Sequence, residues 1–212
     1  MIALPDVPPI AAELDDDALH VWRLHHDPAK GRAPLRALLG GYLGRDADAV
    51  TLVEGVHGRP HLSPAHGQTL DFNWSHSGDC ALVVIGRGLT PGIDVERRRA
   101  RPRALAIAER YFTPREAAWL ARLPADARDQ AFLALWTAKE AVVKALGRGL
   151  AFGLDRLEVG FDAGTPRLLQ LEGDEAQAWQ LHALDVGAAH LATLAWRGGP
   201  RRLRLEVLAC AA

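Results

Sequence analysis

Two acidic residues lie two positions apart in segment 92–96, which reads Gly-Ile-Asp-Val-Glu. Side chains at positions i and i+2 of a strand point to the same face, so Asp94 and Glu96 would project together while Ile93 and Val95 enter a core. Two carboxylates held side by side repel each other unless a cation or a proton lies between them. A hard divalent cation such as Mg²⁺ takes oxygen ligands of this kind together with substrate phosphates. The alternative interpretation is a solvated strand face whose charge is balanced by the arginines that follow.

A second group of charged residues lies in segment 136–144, Trp-Thr-Ala-Lys-Glu-Ala-Val-Val-Lys. Trp136, Glu140 and Lys144 are spaced four residues apart and would form one stripe along a helix, with Lys139 beside it. Only three of the 25 basic residues of the chain are lysines, and two of those three lie in this segment. A lysine offers a compact point charge and an arginine a planar fork. This usage favours a phosphate site over an amphipathic helix that only carries a Glu–Lys pair.

Two further segments contain residues that can bind phosphate. The sequence Asn-Trp-Ser-His-Ser-Gly at 73–78 runs from a predicted strand into a predicted loop at 75–79, where a hydroxyl, an imidazole and loop amides would form a phosphate cradle. A structural turn is the alternative. In Gly58-Arg59-Pro60 the proline fixes a turn and Arg59 can reach a phosphate, although such tripeptides also occur in ordinary surface turns.

Composition limits the class of protein and its partners. The 212 residues are 49% hydrophobic and 24% charged, values typical of a globular protein. A net charge of −1 argues against a general nucleic-acid or membrane-surface binder, because neither polyanion would be attracted over the whole surface. Segment 1–6 has neither the basic start nor the apolar run of a signal peptide, and the apolar run 81–85 is too short to span a bilayer. With only Cys80 and Cys210 available, we expect a reduced, cytoplasmic protein.

Hydrophobic patterns predict the elements that would position these residues. Strands are expected at 20–24, 50–56, 70–74, 81–85, 93–96, 157–161, 179–184, 190–196 and 203–208. Helices are expected at 32–43, 104–111 and 128–146. A further helix is expected to begin at Thr113-Pro114-x-Glu116, with Thr113 as its N-cap. The fold class is therefore α+β, with mostly antiparallel sheets.

Taken in order, the four segments closely resemble the Sfp-type 4′-phosphopantetheinyl transferases. The likeness covers most of the chain and continues into Gly147-Arg148-Gly149-Leu150, just past the last segment. The resemblance implies a pseudo-dimer of two similar α+β halves, each with a mostly antiparallel sheet and packed helices. Residues 1–91 would form the N-terminal half with the coenzyme A nucleotide contacts. Residues 92–212 would form the C-terminal half with the metal and catalytic residues.

The resemblance also implies roles for individual residues. His76 would bind the 3′-phosphate of coenzyme A and Lys144 its diphosphate, while Lys139 is the basic residue beside the metal-binding glutamate. The family often has several basic residues before the first helix, where this chain has only Lys30 and Arg32. The implied ligands of Mg²⁺ are Asp94, Glu96 and Glu140. The implied contacts of coenzyme A are Arg36, Arg59, Ser75, His76, Lys139 and Lys144.

The implied reaction is an attack by a serine hydroxyl of an apo acyl or peptidyl carrier protein on the β-phosphate of coenzyme A, which expels 3′,5′-ADP. Such a transfer depends on positioning and on neutralising charge at the phosphoryl oxygens, a task for Mg²⁺ and Lys144. A carboxylate must accept the serine proton, directly or through a metal-bound water. Glu140 is the first candidate base and Glu116 the second, and helix capping explains Glu116 equally well.

Two other functions are considered for the same residues. One is a non-catalytic coenzyme A or nucleotide-binding protein of the same fold, and the other is a Mg²⁺-dependent phosphohydrolase. The chain retains every implied carboxylate and Lys144, which favours the transferase. The expected partner is a carrier of polyketide or nonribosomal-peptide synthesis, with a fatty-acid carrier as the alternative, and the pseudo-dimer resemblance implies a monomer.

Overall fold

The structure is a computed structural model that describes residues 3–67 and 70–209, so Cys210 lies outside the described residues. These residues contain five α-helices and eleven β-strands. The helices are α1 (Val7–Ala11), α2 (Ala33–Leu43), α3 (Ala104–Tyr111), α4 (Pro114–Arg122) and α5 (Ala125–Leu146). The strands are β1 (Ala18–His25), β2 (Leu52–Glu54), β3 (Pro60–Leu62), β4 (Leu70–Ser77), β5 (Cys80–Arg87), β6 (Gly92–Arg97), β7 (Leu157–Asp162), β8 (Thr165–Leu171), β9 (Trp179–Leu184), β10 (His190–Arg197) and β11 (Arg202–Val207).

Two main sheets organise the chain. The first sheet has the strand order β11-β1-β5-β4 and the second has the order β6-β10-β9, with β2–β3 and β7–β8 as separate hairpins. The pairing of β11 with β1 is parallel, and the other described pairings are antiparallel. The predicted α+β class with mostly antiparallel sheets is confirmed. Because β11 pairs with β1, segment 92–212 supplies strands to both main sheets.

Three buried hydrophobic clusters hold the layers together. Helix α2 packs on one face of the first sheet around Trp22 and Phe72. Helix α5 packs on the second sheet in a cluster that includes Phe132. The third cluster lies between the two sheets and joins Val21 of β1 to Trp196 of β10. Val21 and Trp22 belong to different clusters because neighbouring strand residues face opposite sides of a sheet.

Strand β6 and helix α5 touch at the level of their backbones. A Cβ atom on Gly92 would lie 2.0 Å from the carbonyl oxygen of Ala141 and 2.5 Å from the amide nitrogen of Ala145. Both distances are far inside van der Waals contact, so only glycine fits here. This close approach brings the C-terminal turns of α5 alongside the acidic residues of β6.

Most predicted elements are present, and the bounds of some were wrong. Strand β4 continues through Ser77, so the predicted loop at 75–79 shrinks to a turn at Gly78 and Asp79. The predicted strand 50–56 covers only β2, because the amide of Gly55 donates to the carbonyl of Arg59 and begins a turn. Strand β8, which the sequence pattern did not predict, pairs with β7. No described helix is long and apolar enough to cross a membrane.

Candidate active site

Strands β4 and β6 belong to different sheets, and side chains of β4 bridge the gap between them. Residues i and i+2 of a strand share a face. Polar side chains at alternate positions of β4 therefore reach main-chain amides at alternate positions of β6 and satisfy them. The amides of Ile93, Val95 and Arg97 donate to the side-chain oxygens of Asn73, Ser75 and Ser77 at 2.9, 3.4 and 3.1 Å.

The two serines of this bridge also hold the carboxylates of β6. The hydroxyl of Ser75 donates to Oδ1 of Asp94 at 2.8 Å, and the hydroxyl of Ser77 donates to Oε2 of Glu96 at 3.1 Å. Each hydroxyl therefore accepts from a main-chain amide and donates to an acidic side chain next to it in β6. The orientation of both carboxylates is thus coupled to the packing of the two sheets.

Helix α5 adds a lysine to these groups. Nζ of Lys144 donates to Oδ1 of Asp94 at 2.6 Å, to Oγ of Ser75 at 3.0 Å and to the carbonyl of Ile93 at 3.1 Å. The Asp94 side chain is only 8% exposed and that of Lys144 is 25% exposed, so the ion pair is largely shielded from water. We call Ser75, Asp94, Glu140 and Lys144 the Lys144 cluster.

Glu140 lies one helical turn before Lys144 and faces the same strand. Its Oε1 atom and Oδ2 of Asp94 are buried and have no hydrogen-bond partner among the described residues. Burial raises the pKa of Glu140 to about 7, the negative charge of Asp94 adds to the shift, and Lys144 opposes it. A protonated or metal-bound Glu140 would therefore be favoured over a free carboxylate.

The donor set of the Lys144 cluster fits a hard divalent cation. Two buried carboxylate oxygens without partners are the type of ligand that Mg²⁺ takes. The third predicted ligand, Glu96, is instead bonded to Arg101 at 2.8 Å and to Ser77. Within residues 3–67 and 70–209 no group of three or more His, Cys, Asp or Glu is arranged to hold a metal ion. The fit is therefore good for Asp94 and Glu140, while Glu96 has another partner.

A cleft of about 320 Å³ opens beside Glu140 and Lys144. Its walls come from the turn before β3, from β4, from the start of α2 and from the end of α5. The residues lining it include Arg32, Arg59, Asn73, Trp74, Glu140 and Lys144.

Arg59 ties the turn before β3 to the end of α5. Its Nη1 donates to the carbonyl of Lys144 at 2.5 Å, and its Nη2 donates to the carbonyl of Phe72 at 2.8 Å and to Asp71 at 3.2 Å. A guanidinium at this end of a helix interacts favourably with the helix dipole. Three of the five N–H donors of Arg59 are thus bonded within the protein, and its predicted phosphate contact stays a prediction.

Comparison with known proteins identifies the family of this chain. The family model described as the 4′-phosphopantetheinyl transferase superfamily (ACPS) matches residues 90–195, a segment that contains β6 and α5. The chain belongs to this superfamily. The predicted family and the predicted enzyme class are confirmed by this match and by the relatives that follow.

Individual relatives carry the same name. The chain is 35% identical over 173 residues to the 4′-phosphopantetheinyl transferase HetI of Nostoc sp., covering 79% of this chain and 71% of that protein. It is 33% identical over 140 residues to the 4′-phosphopantetheinyl transferase psf-1 of Bacillus pumilus, covering 66% of this chain and 58% of that protein. A crystal structure of Thermotoga maritima holo-[acyl-carrier-protein] synthase aligns over 54% of this chain and 64% of that chain, with 21% identity and a TM-score of 0.41.

Two predicted site residues, Lys139 and Glu116, pair with each other and lie apart from the Lys144 cluster. Lys139 is 0% exposed, and its Nζ lies 2.7 Å from Oε2 of Glu116 while donating to the carbonyls of Leu154 and Leu157. Successive helix residues are about 100° apart around the axis, so Lys139 points into the core while Glu140 faces β6. The predicted coenzyme A contact of Lys139 does not fit this burial.

Glu116 has a complete set of structural partners. Its Oε2 accepts from the amide and hydroxyl of Thr113, which forms the predicted capping box at the start of α4. Its Oε1 accepts from the amide of Val159 at 2.9 Å. Of the two interpretations of Glu116, the structure supports capping and a buried ion pair, and it does not place this carboxylate beside Glu140.

Of the remaining predicted contacts of coenzyme A, Ser75 and His76 lie on opposite faces of β4 and Arg36 lies on α2. Ser75 faces β6, whereas His76 points to the opposite face and stacks on His26 at 4.0 Å between ring centroids. Burial lowers the pKa of His76, and the charges of His26 and Lys144 add to this effect. Arg36 is exposed on α2, and it is Arg32 that lines the cleft.

Sequence reasoning missed four residues around the site. Asn73 and Ser77 stood inside the Asn-x-Ser-x-Ser pattern, and their alternation would have indicated a strand face had the loop not been assigned there. His26 carried no signal in the sequence, because its stack on His76 joins residues distant along the chain. Arg101 lies only five residues after Glu96, among the arginines that follow β6, but nothing in the sequence singled it out from them. The four residues are His26, Asn73, Ser77 and Arg101.

Proposed function

We propose that this chain transfers the 4′-phosphopantetheine group of coenzyme A to a serine of an apo carrier protein and releases 3′,5′-ADP. The observation that supports it best is the Lys144 cluster, in which Lys144 bonds to Asp94 and Glu140 has a pKa raised to about 7. A cation, an acidic pair and a proton acceptor with a pKa near neutrality are what a phosphoryl transfer to a hydroxyl needs.

In the proposed reaction the oxygen of the carrier serine forms a bond to the β-phosphorus, and the bond from that phosphorus to the leaving 3′,5′-ADP breaks. Glu140, the carboxylate beside Lys144 on α5, accepts the serine proton. Lys144 neutralises charge on the diphosphate oxygens, since its ammonium is held at the edge of the cleft by Asp94 and Ser75. Mg²⁺ held by Asp94 and Glu140, with Glu96 as the third ligand, would supply further charge neutralisation for the diphosphate.

The proposal also covers the arrangement of the two halves of the chain and the class of the carrier protein. Residues 1–91 and 92–212 form two related halves of a pseudo-dimeric monomer, with β11 crossing back to the first sheet. The carrier belongs to polyketide, nonribosomal-peptide or fatty-acid synthesis. The bridge between β4 and β6 supports a site at the junction of the halves.

The test is a mass measurement on the acceptor. The protein is incubated with coenzyme A, Mg²⁺ and several purified apo carrier domains, and each carrier is weighed intact. A gain of one phosphopantetheine group on the carrier supports the proposal, and release of 3′,5′-ADP without such a gain supports a phosphohydrolase instead. Glu140→Gln should abolish the gain, while Glu109→Gln, an exposed glutamate on α3, should not. Equal transfer by both variants would remove Glu140 from the mechanism.

A further inference from the structure

Segment 97–103 contains five arginines, and one of them differs from the rest. The side chain of Arg101 is 23% exposed, and its Nη2 donates to Oε2 of Glu96 at 2.8 Å. The function proposed above gives Arg101 no role. The other four arginines are all exposed and are Arg97, Arg98, Arg99 and Arg103.

The main chain of Arg101 is fixed on two sides. Its amide donates to Oδ2 of Asp129 on α5 at 3.0 Å, and its carbonyl accepts from the amide of Ala104 at the start of α3 at 2.8 Å. A side chain that leaves a fixed main chain loses less freedom on binding than one on a mobile loop. The contact of Arg101 with Glu96 is therefore better defined than an ordinary surface ion pair.

Both partners of Glu96 bind the same carboxylate oxygen. Oε2 accepts from Arg101 and also from the hydroxyl of Ser77 at 3.1 Å. Among residues 3–67 and 70–209, no hydrogen bond or ion pair engages Oε1 of Glu96. A carboxylate that is held through one oxygen can offer the other to a cation, and such supporting contacts fix the orientation of metal ligands in proteins.

Asp94, two residues earlier on β6, is held in the same way. Its Oδ1 accepts from the hydroxyl of Ser75 and from Nζ of Lys144, while its buried Oδ2 has no partner among the described residues. Each acidic residue of β6 is thus bound through one oxygen by a serine of β4 and by one basic side chain. The arrangement at Asp94 is repeated at Glu96, with Arg101 in the place of Lys144.

We propose that Arg101 is a positioning residue that holds Glu96 ready to bind a divalent cation, an inference that rests on the proposed function. Arg101 acts together with Ser77 to direct Oε1 of Glu96, as Lys144 and Ser75 direct Oδ2 of Asp94. The charge of the guanidinium by itself opposes a nearby metal cation. Positioning and repulsion therefore change the metal affinity in opposite directions, and a measured affinity distinguishes them.

The test is calorimetric titration of Mn²⁺ in the presence of coenzyme A. The proteins compared are the wild type, Arg101→Met and Arg99→Met, which removes the same charge from an exposed position. We expect Arg101→Met to weaken the binding of Mn²⁺ about tenfold and Arg99→Met to stay within about twofold. Arg101→Lys keeps a cation and a donor, so it should recover most of the affinity. Equal or tighter binding by Arg101→Met would overturn the proposal.

A double-mutant cycle tests whether Arg101 acts through Glu96. Glu96→Gln should itself weaken the binding of Mn²⁺, and adding Arg101→Met should then change the affinity by less than about twofold. A further tenfold loss in the Glu96→Gln background would assign Arg101 a general structural role and refute the positioning. Unchanged affinity of Glu96→Gln would refute it as well, because Glu96 would then be no ligand.

The outcomes for the wild type separate this proposal from the proposed function. A wild type that binds Mn²⁺ and coenzyme A but modifies no carrier would refute the transferase and leave the comparison of the Arg101 variants intact. A wild type that modifies a carrier but binds no Mn²⁺ would refute the positioning role of Arg101 alone.

Discussion

The guanidinium of Arg59 lies 2.5 Å from the carbonyl oxygen of Lys144 and so closes the last turn of α5 from the opposite side of the cleft. The same side chain holds Phe72 and Asp71 of β4. One arginine therefore connects the turn before β3, the edge of the first sheet and the helix that carries Lys144 and Glu140. The cleft depends on this connection for its shape.

Replacing Arg59 should lower the free energy of unfolding. We expect Arg59→Met to lower the free energy of unfolding by about 2 kcal/mol, because the helix end loses a charged donor and Asp71 loses its partner. Urea unfolding followed by circular dichroism measures the change, with Arg122→Met on the exposed face of α4 as the matched control. Equal stability of the two variants would show that the contact of Arg59 with Lys144 contributes nothing.

Ser77 should affect the site through Glu96. Ser77→Ala removes the donor to Glu96 and the acceptor for the amide of Arg97. Groups that orient metal ligands typically change metal affinity about tenfold or more when removed, so we expect weaker binding of Mn²⁺ as a probe for Mg²⁺. Calorimetric titration of Mn²⁺ in the presence of coenzyme A gives the affinity, and Ser77→Thr, which keeps the hydroxyl, should restore it. Identical affinities for all three proteins would contradict this role.

Stability should depend on pH through Glu140. Its folded-state pKa of about 7 lies above the ordinary value of 4.5, so the folded state holds the proton more tightly than the unfolded state between these values. The stabilisation is fully present below pH 4.5 and is lost as the pH rises through about 7, a loss of about 3 kcal/mol. Glu140→Gln should remove this loss, as measured by urea unfolding from pH 5 to pH 8. Mg²⁺ should offset the loss in the wild type at pH 8, and the same pH dependence in both proteins would contradict the assignment.

The sequence predicted which residues meet in the Lys144 cluster better than it predicted their surroundings. Asp94, Glu140 and Lys144 were found because strand and helix periodicity place them on defined faces, and the structure brings these faces together. Lys139 was assigned to the site from the family resemblance and the rare use of lysine, although helical geometry places it off the stripe of Glu140 and Lys144. Its burial depends on the long-range packing of α5 against Leu154 and Leu157, which no local pattern contains. The stacking of His26 on His76 depends on sheet order in the same way.

Lys139 and Glu116 should determine stability and leave catalysis unchanged. Both side chains are almost fully buried, and removing one member of a buried ion pair leaves an uncompensated charge that costs about 3–5 kcal/mol. Lys139→Met should therefore lower the free energy of unfolding by roughly this amount. The double variant Lys139→Met, Glu116→Gln should recover part of the loss, because the remaining group is neutral and still accepts from the amide of Val159.

A kinetic comparison separates this structural role from the predicted catalytic one. For the folded fraction of the double variant, measured at low temperature, we expect kcat and the KM for coenzyme A within about twofold of the wild type, since neither residue is placed in the cleft. Lys144→Met, in contrast, removes a cation at the edge of the cleft and should reduce kcat/KM by about a hundredfold or more. A rise in KM for coenzyme A in the double variant, with stability unchanged, would place Lys139 in the substrate site after all.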